Sequence, residues 1–394
     1  MNKLKALGSS AIALYFIIGL EIMIMISPFA GLFYSAFNPF LLATASNPAT
    51  RWLSAFYLPH MVVPPDDFLK SVRIAGSALF VAGLSGFLAC AVQVYANKFM
   101  KKGAALNGLY SYIRHPQYVM LGVSGLGLAI LWPRFLVAAL WFVMVVFYYF
   151  LSKDEERRML KDYPDSYAGY MERTGMFLPR RVEGLMPRLN HAGRVVAFAL
   201  LGLLVIGGAF ALRAYTVSHL PLWSAPNAAV LAIMPDDMQM LDHRMAAIMG
   251  LPEVKARLRD DRRYLVYFMP RNYIMQGLIA DTGGDWRLYK QHHTLGMITD
   301  WVFHPFRHLS EHHHLMDQHA EHDAGQPAEG GVVRRLIYLE IPTARSNDPS
   351  ELFSINAKRL PVFMLDVDVH SLLVIEIKDL PADTGWGSVP THVF

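Results

Sequence analysis

Gly108-Leu109-Tyr110-Ser111-Tyr112-Ile113-Arg114-His115-Pro116-Gln117-Tyr118 is followed by two apolar runs, split at Trp132-Pro133, and then by Asp154-Glu155-Glu156. This order sets an arginine, a histidine and paired glutamates at the mouth of apolar helices. Ionisable groups beside lipid are costly without partners, so such a cluster is read first as a binding or catalytic site. The Trp132-Pro133 break makes the two runs a tight helical hairpin, because proline cannot continue a helix.

The surrounding sequence has the character of a membrane protein. The chain of 394 residues is 54% hydrophobic and only 17% charged, too apolar for an ordinary soluble protein. Five apolar segments are expected to form helices: Ser9–Phe37, Val72–Ala96, Tyr118–Leu131, Phe135–Leu151 and Val195–Leu212. A helix needs about 20 residues to cross the hydrocarbon core, so the third is short. The first is too long for the apolar part of a signal peptide and is read as a retained helix. Small residues at Gly76, Gly83 and Gly86, and at Gly122, Gly125 and Gly127, are expected to let helices approach closely.

The fold class expected is an α-helical membrane bundle of about five transmembrane segments, including the short hairpin, followed by a soluble α+β domain. The boundary is placed at residues 1–213 and 214–394. Residues 1–213 hold 20 Lys/Arg against 10 Asp/Glu and residues 214–394 hold 16 against 22, with 13 of the 16 histidines in the second part. Strands are expected over Tyr264–Met269, Arg335–Ile341, Val362–Val369 and Leu372–Ile377, and helices over Asp237–Met249 and Pro305–His322. The single Cys90 excludes an internal disulfide framework.

In the second part, His308 and His312 stand four residues apart on the expected helix from Pro305. An i, i+4 histidine pair can share a zinc or copper ion. Asp366, Asp368 and His370 alternate along an expected strand and are candidate further ligands. A histidine-rich polar helix face and a membrane-resting lid are the other readings of the same segment.

The Arg114-His115-Pro116-Gln117-Tyr118 motif, the hairpin, Glu155-Glu156 with Leu160, Tyr163, Tyr167 and Tyr170, and the Phe177-Leu178-Pro179-Arg180 ending together resemble the isoprenylcysteine carboxyl methyltransferase and phospholipid methyltransferase superfamily of integral membrane enzymes. The likeness covers about residues 72–181. The family often has glycine two residues after the tyrosine, where this chain has Met120.

The resemblance implies transfer of a methyl group from S-adenosylmethionine to a lipophilic or membrane-embedded acceptor. Tyr110, His115, Pro116, Tyr118, Glu155 and Glu156 are then the expected cofactor-binding residues. Arg114 or His115 suits the methionyl carboxylate, and Glu155 and Glu156 suit the amino group and ribose hydroxyls. Tyr118 and Tyr110 offer aromatic faces. Pro116 is expected to leave backbone groups free for the adenine. Arg114 and Glu156 are the expected catalytic pair, Arg114 orienting an anionic acceptor and Glu156 taking a proton from an amine. Sterol reductases resemble the same region and would use NADPH. A non-enzymatic membrane-anchored metal-handling or accessory protein is a third reading. The expected partners are the membrane and a lipid, with no nucleic acid.

Lys3 and Lys5, the Lys98-to-Arg114 cluster and the Lys153-to-Arg188 cluster fall on one side if the chain crosses five times. By the bias of Lys and Arg in short loops that side is cytoplasmic. The N-terminus is then cytoplasmic and the C-terminal domain extracytoplasmic, periplasmic in a Gram-negative cell. A reporter that works only outside the cytoplasm, fused after Phe394, is expected to be active; activity of a cytoplasm-specific reporter alone would overturn this orientation.

Overall fold

The computed structural model describes residues 40–59, 66–100, 106–282 and 332–382, apart from residues 42, 188, 235, 236, 274, 275, 277 and 278. The expected first apolar segment, Ser9–Phe37, and the expected helix Pro305–His322 with His308 and His312 lie outside the described residues. The described chain divides into two compact units. One is Asp67–Leu212, and the other holds the described residues on either side of it.

The first unit is helical. Helix α1 spans Asp67–Phe99, α2 Pro116–Leu131, α3 Phe135–Asp162, α4 Pro164–Arg173, α5 Arg180–Glu183 and α6 His191–Ser218, the last running past the unit boundary. Among the described residues three helices, in α1, α3 and α6, are long and apolar enough to cross a membrane. The chain is thus an integral membrane protein, and the expected count of five crossings is not confirmed, since the first expected segment lies outside the described residues. Helix α2 has 16 residues, about 24 Å at 1.5 Å per residue, less than the roughly 30 Å of a hydrocarbon core.

Glycine governs how α1 and α2 meet. A Cβ on Gly83 would strike the backbone of Met120 and Ser124, and one on Gly127 would strike Phe80 and Gly76. Close backbone approach of this kind drives helix association where lipid removes the hydrophobic incentive. Gly86 faces the Met120 side chain, whose Sδ and Cγ fill the space a Cβ would need. The methionine that stands in place of a glycine is therefore accommodated by a glycine on the neighbouring helix. Gly122, one of the small residues expected to permit close approach, has open space where a Cβ would stand.

The second unit carries a six-stranded mixed sheet in sequential order: β1 Leu222–Ser224, β2 Ala228–Ala232, β3 Tyr264–Pro270, β4 Val333–Glu340, β5 Leu360–Asp368 and β6 Val374–Asp379. Only β2 and β3 are parallel, joined through α7 Asp237–Gly250 and α8 Pro252–Lys255, as a parallel pair requires a crossover. The four expected strands correspond to β3 to β6 within a few residues. Strands β1 and β2 were not expected: Ala-Ala-Val-Leu-Ala is short and has little of the β-branched and aromatic character that marks strands. The central strands bury both faces. Val230, Val266, Tyr338 and Phe363 pack on one core with Leu241 and Met245 of α7, and Leu231, Tyr267, Ile337 and Met364 form the opposite core.

Asp366 belongs to the sheet's interior rather than to a metal site. Arg335 stands opposite it across β4 and β5 and donates from Nε to Oδ1 at 2.7 Å and from Nη2 to Oδ2 at 2.6 Å. Arg271 reaches the same Oδ2 at 3.0 Å, and Gln276 accepts from Arg335 Nη1 at 2.7 Å. Asp368 instead accepts the His370 N–H of the following turn at 2.8 Å. The expected Asp366, Asp368 and His370 ligand set is thereby corrected, because a carboxylate already neutralised by two guanidiniums has no charge left for a cation. Among the described residues no cluster of histidine, cysteine and carboxylate side chains has the form of a metal site.

Removing one member of a buried, fully bonded charge pair leaves the other uncompensated, at a cost of about 3–5 kcal/mol. Asp366→Ala is expected to speed hydrogen exchange of the β4 and β5 amides in the full-length protein, while Asp366→Leu combined with Arg335→Met is expected to restore most of the protection.

Candidate active site

The site is built where the start of α2, the end of α3 and the chain after α4 converge. Pro116 is the first residue of α2, a position where its missing N–H loses nothing. Tyr148, Ser152, Glu155 and Glu156 follow one another on α3 at spacings that share a face, and Tyr148, Ser152 and Glu156 are buried.

Arg114 is 8% exposed and is held on three sides. Its Nε donates to Glu156 Oε1 at 2.6 Å, and its Nη1 donates to the carbonyls of Met171, at 3.2 Å, and Thr174. Lys153 Nζ lies 3.5 Å from the other Glu156 oxygen. The expected catalytic pair is thus brought together, but as an ion pair closed on itself.

His115 is 2% exposed. Its Nδ1 lies 3.5 Å from Glu155 Oε2 and its Nε2 lies 3.5 Å from Glu156 Oε1, at the limit of hydrogen bonding, and neither nitrogen has an aligned hydrogen-bond partner among the described residues. Burial opposes charge on this imidazole, yet the two flanking carboxylates outweigh it and raise the imidazole above the ordinary histidine range. The ring stacks on Tyr118 with centroids 5.6 Å apart, and Tyr118 stacks on Tyr148 at 4.9 Å. Tyr118 Oη donates to Glu155 Oε2 at 3.2 Å. Glu155 is the open member of the group, with a side chain 39% exposed.

The tyrosines after α3 divide. Tyr167 and Tyr170 are buried, whereas Tyr163 is exposed. Burial pushes the Tyr170 phenol up to about 12, so it remains a donor, and it bonds the Tyr110 carbonyl at 2.6 Å. Tyr110 is buried too, and its hydroxyl has no hydrogen-bond partner among the described residues.

A strap of residues 174–178 completes the site, and sequence reasoning missed it. Arg114 N–H donates to Gly175 O at 2.8 Å and His115 N–H to Met176 O at 3.2 Å, with Ile113 and Gly175 forming a parallel bridge. The Arg114-His115 backbone that Pro116 was expected to leave free is therefore used by the strap, since a buried N–H must find an acceptor. Glu183 accepts the Met176 N–H at 2.8 Å. A Cβ on Gly175 would collide with Leu178 O and the Glu183 carboxylate. The Thr174-Gly175 pair, directly after the tyrosines, and the Phe177-Leu178-Pro179-Arg180 ending, which overlaps the strap, were the available signals.

Residues 93–166 match the family model of phospholipid methyltransferase. The superfamily resemblance read from Arg114-His115-Pro116 and Glu155-Glu156 is thereby shown for this stretch, and the phospholipid methyltransferase domain takes in the end of α1, all of α2 and α3, and the first residues of α4. No curated protein and no solved structure matches the chain. The strap and Glu183 lie beyond the matched residues.

A histidine pKa raised in the folded state makes a stabilising contribution that is complete below the unfolded value of about 6.5 and is lost as pH rises through the folded value. Thermal stability of the full-length protein is expected to fall across that interval, and the fall is expected to be absent in His115→Gln.

Proposed function

We propose that the phospholipid methyltransferase domain transfers a methyl group from S-adenosylmethionine to a lipophilic or membrane-embedded acceptor, at a site formed by Tyr110, His115, Pro116, Tyr118, Glu155 and Glu156. The observation that carries this reading is the stacked His115–Tyr118–Tyr148 set closed by two carboxylates. Aromatic faces favour a sulfonium cation, and carboxylates favour the ammonium and hydroxyl groups of such a cofactor. The buried His115 ring nitrogens and Tyr110 hydroxyl supply polar groups with capacity for a ligand, so the residues present fit the group.

When bound, S-adenosylmethionine supplies an already activated methyl group, and alignment with exclusion of water is what remains for the protein. In this reading Glu155 meets the amino group or ribose, Tyr118 presents its face, and Pro116 sets the start of α2. Arg114 and Glu156 hold the frame. Their mutual bond, with the Met171 and Thr174 carbonyls on Arg114, makes them positioning residues rather than groups that touch an acceptor. A proton released by an amine acceptor would pass to Glu155, the exposed carboxylate. Arg157 and Arg158 lie 3.6 Å and 3.3 Å from Asp154, which favours a methyl donor over a cofactor whose 2′-phosphate would need them. The cofactor side is proposed to be cytoplasmic and the C-terminal domain, from about residue 214, extracytoplasmic.

Calorimetric titration of the full-length protein with S-adenosylmethionine tests the reading. Glu155→Gln and His115→Ala are each expected to weaken binding about tenfold or more, equivalent to about 1.4 kcal/mol, with Tyr163→Phe unchanged. Equal affinity in all of these variants would retire the assignment. Transfer of labelled methyl into an extracted lipid fraction then identifies the acceptor class.

A further inference from the structure

Between the strap and α6 the chain carries a run that packing inside the membrane unit does not explain. Leu178, Val182, Leu185, Met186 and Leu189 are all exposed, Leu185 at 86%. Interleaved with them are Arg180, Arg181 and Arg188 against the one acid, Glu183, whose carboxylate receives the Met176 N–H. Arg180 and Arg181 are exposed. At His191 the same chain enters α6, a helix long and apolar enough to span the bilayer.

We propose that residues 178–190 form an interfacial element that rests on an anionic leaflet, with Arg180 and Arg181 among acidic lipid headgroups and Val182, Leu185, Met186 and Leu189 in the outermost acyl region. Exposed apolar side chains in such a cluster mark an interaction surface. The occupant is selected by charge and by continuity. Three arginines over this run, Arg180, Arg181 and Arg188, attract an acidic surface and repel a basic one. The membrane-spanning helix that follows fixes the run at the level where headgroups and acyl chains meet. Through Glu183 this element also supports the strap whose Met176 carbonyl receives the His115 N–H, so lipid charge has a route to the site. The proposal does not depend on the methyl-transfer reading.

The test uses full-length protein carrying Leu185→Cys, labelled with a nitroxide and reconstituted into phosphatidylcholine vesicles with and without phosphatidylglycerol. Cys90 is buried, so the parent chain serves as the labelling blank. Collision of the label with oxygen is expected to exceed collision with a water-soluble nickel chelate in the acidic vesicles. The balance is expected to shift toward nickel in phosphatidylcholine alone, and also when Arg180→Gln and Arg181→Gln are introduced. Dominant nickel collision in the acidic vesicles would mean a solvated loop and overturns the proposal. Low collision with both agents would mean cover by protein, such as a second copy of the chain, and overturns it too. An oxygen preference indifferent to lipid charge and to the two arginines removes the anionic partner and likewise refutes it.

Discussion

The buried bond between Arg114 and Glu156 is the interaction on which the membrane unit's site depends. A guanidinium and a carboxylate withdrawn from water lose several kcal/mol of hydration each, and only a short, well-aligned contact with further hydrogen bonds offsets that loss. The 2.6 Å contact and the two backbone carbonyls on the guanidinium supply those terms. One ion pair thereby fixes the end of α3, the approach to α2 and the exit from α4 against each other. The stacked rings of His115, Tyr118 and Tyr148 can keep their order only within that frame.

How much of this was legible in the sequence follows from how local each feature is. Arg114-His115-Pro116, the Trp132-Pro133 break and the Glu155-Glu156 pair were readable because each uses adjacent residues with marked chemistry. The division of labour between the glutamates was not. Neighbours on a helix differ by about 100° in direction, and which of the two meets the guanidinium depends on Arg114, 42 residues away in the segment before α2. Met120 looked like a defect in a motif, since the glycine that makes room for it, Gly86, lies on another helix. The strap was invisible for the same reason: its pairing with residues 113–115 is a backbone contact that leaves almost no signature in side chains.

The sheet unit shows the complementary case. Strands β3 to β5 announced themselves through apolar runs buried on both faces, and β2 escaped because alanine satisfies a buried position without favouring a strand. The alternation of Asp366 and Asp368 was a real feature of β5 read with the wrong partner. Across the sheet Arg335 meets Asp366 directly, and cross-strand register, unlike spacing within a strand, is not written in any single segment.

The strap also dictates an order of events during synthesis. Arg114 emerges long before Thr174, the carbonyl that closes its bonding and stands 60 residues further on, and Met176 in turn waits for Glu183. For that stretch of elongation the Arg114–His115 segment exposes donors that the finished protein buries. A chain stopped where the family-matched region ends, at residue 166, would possess Arg114-His115-Pro116 and Glu155-Glu156 and still lack the piece that shuts the site.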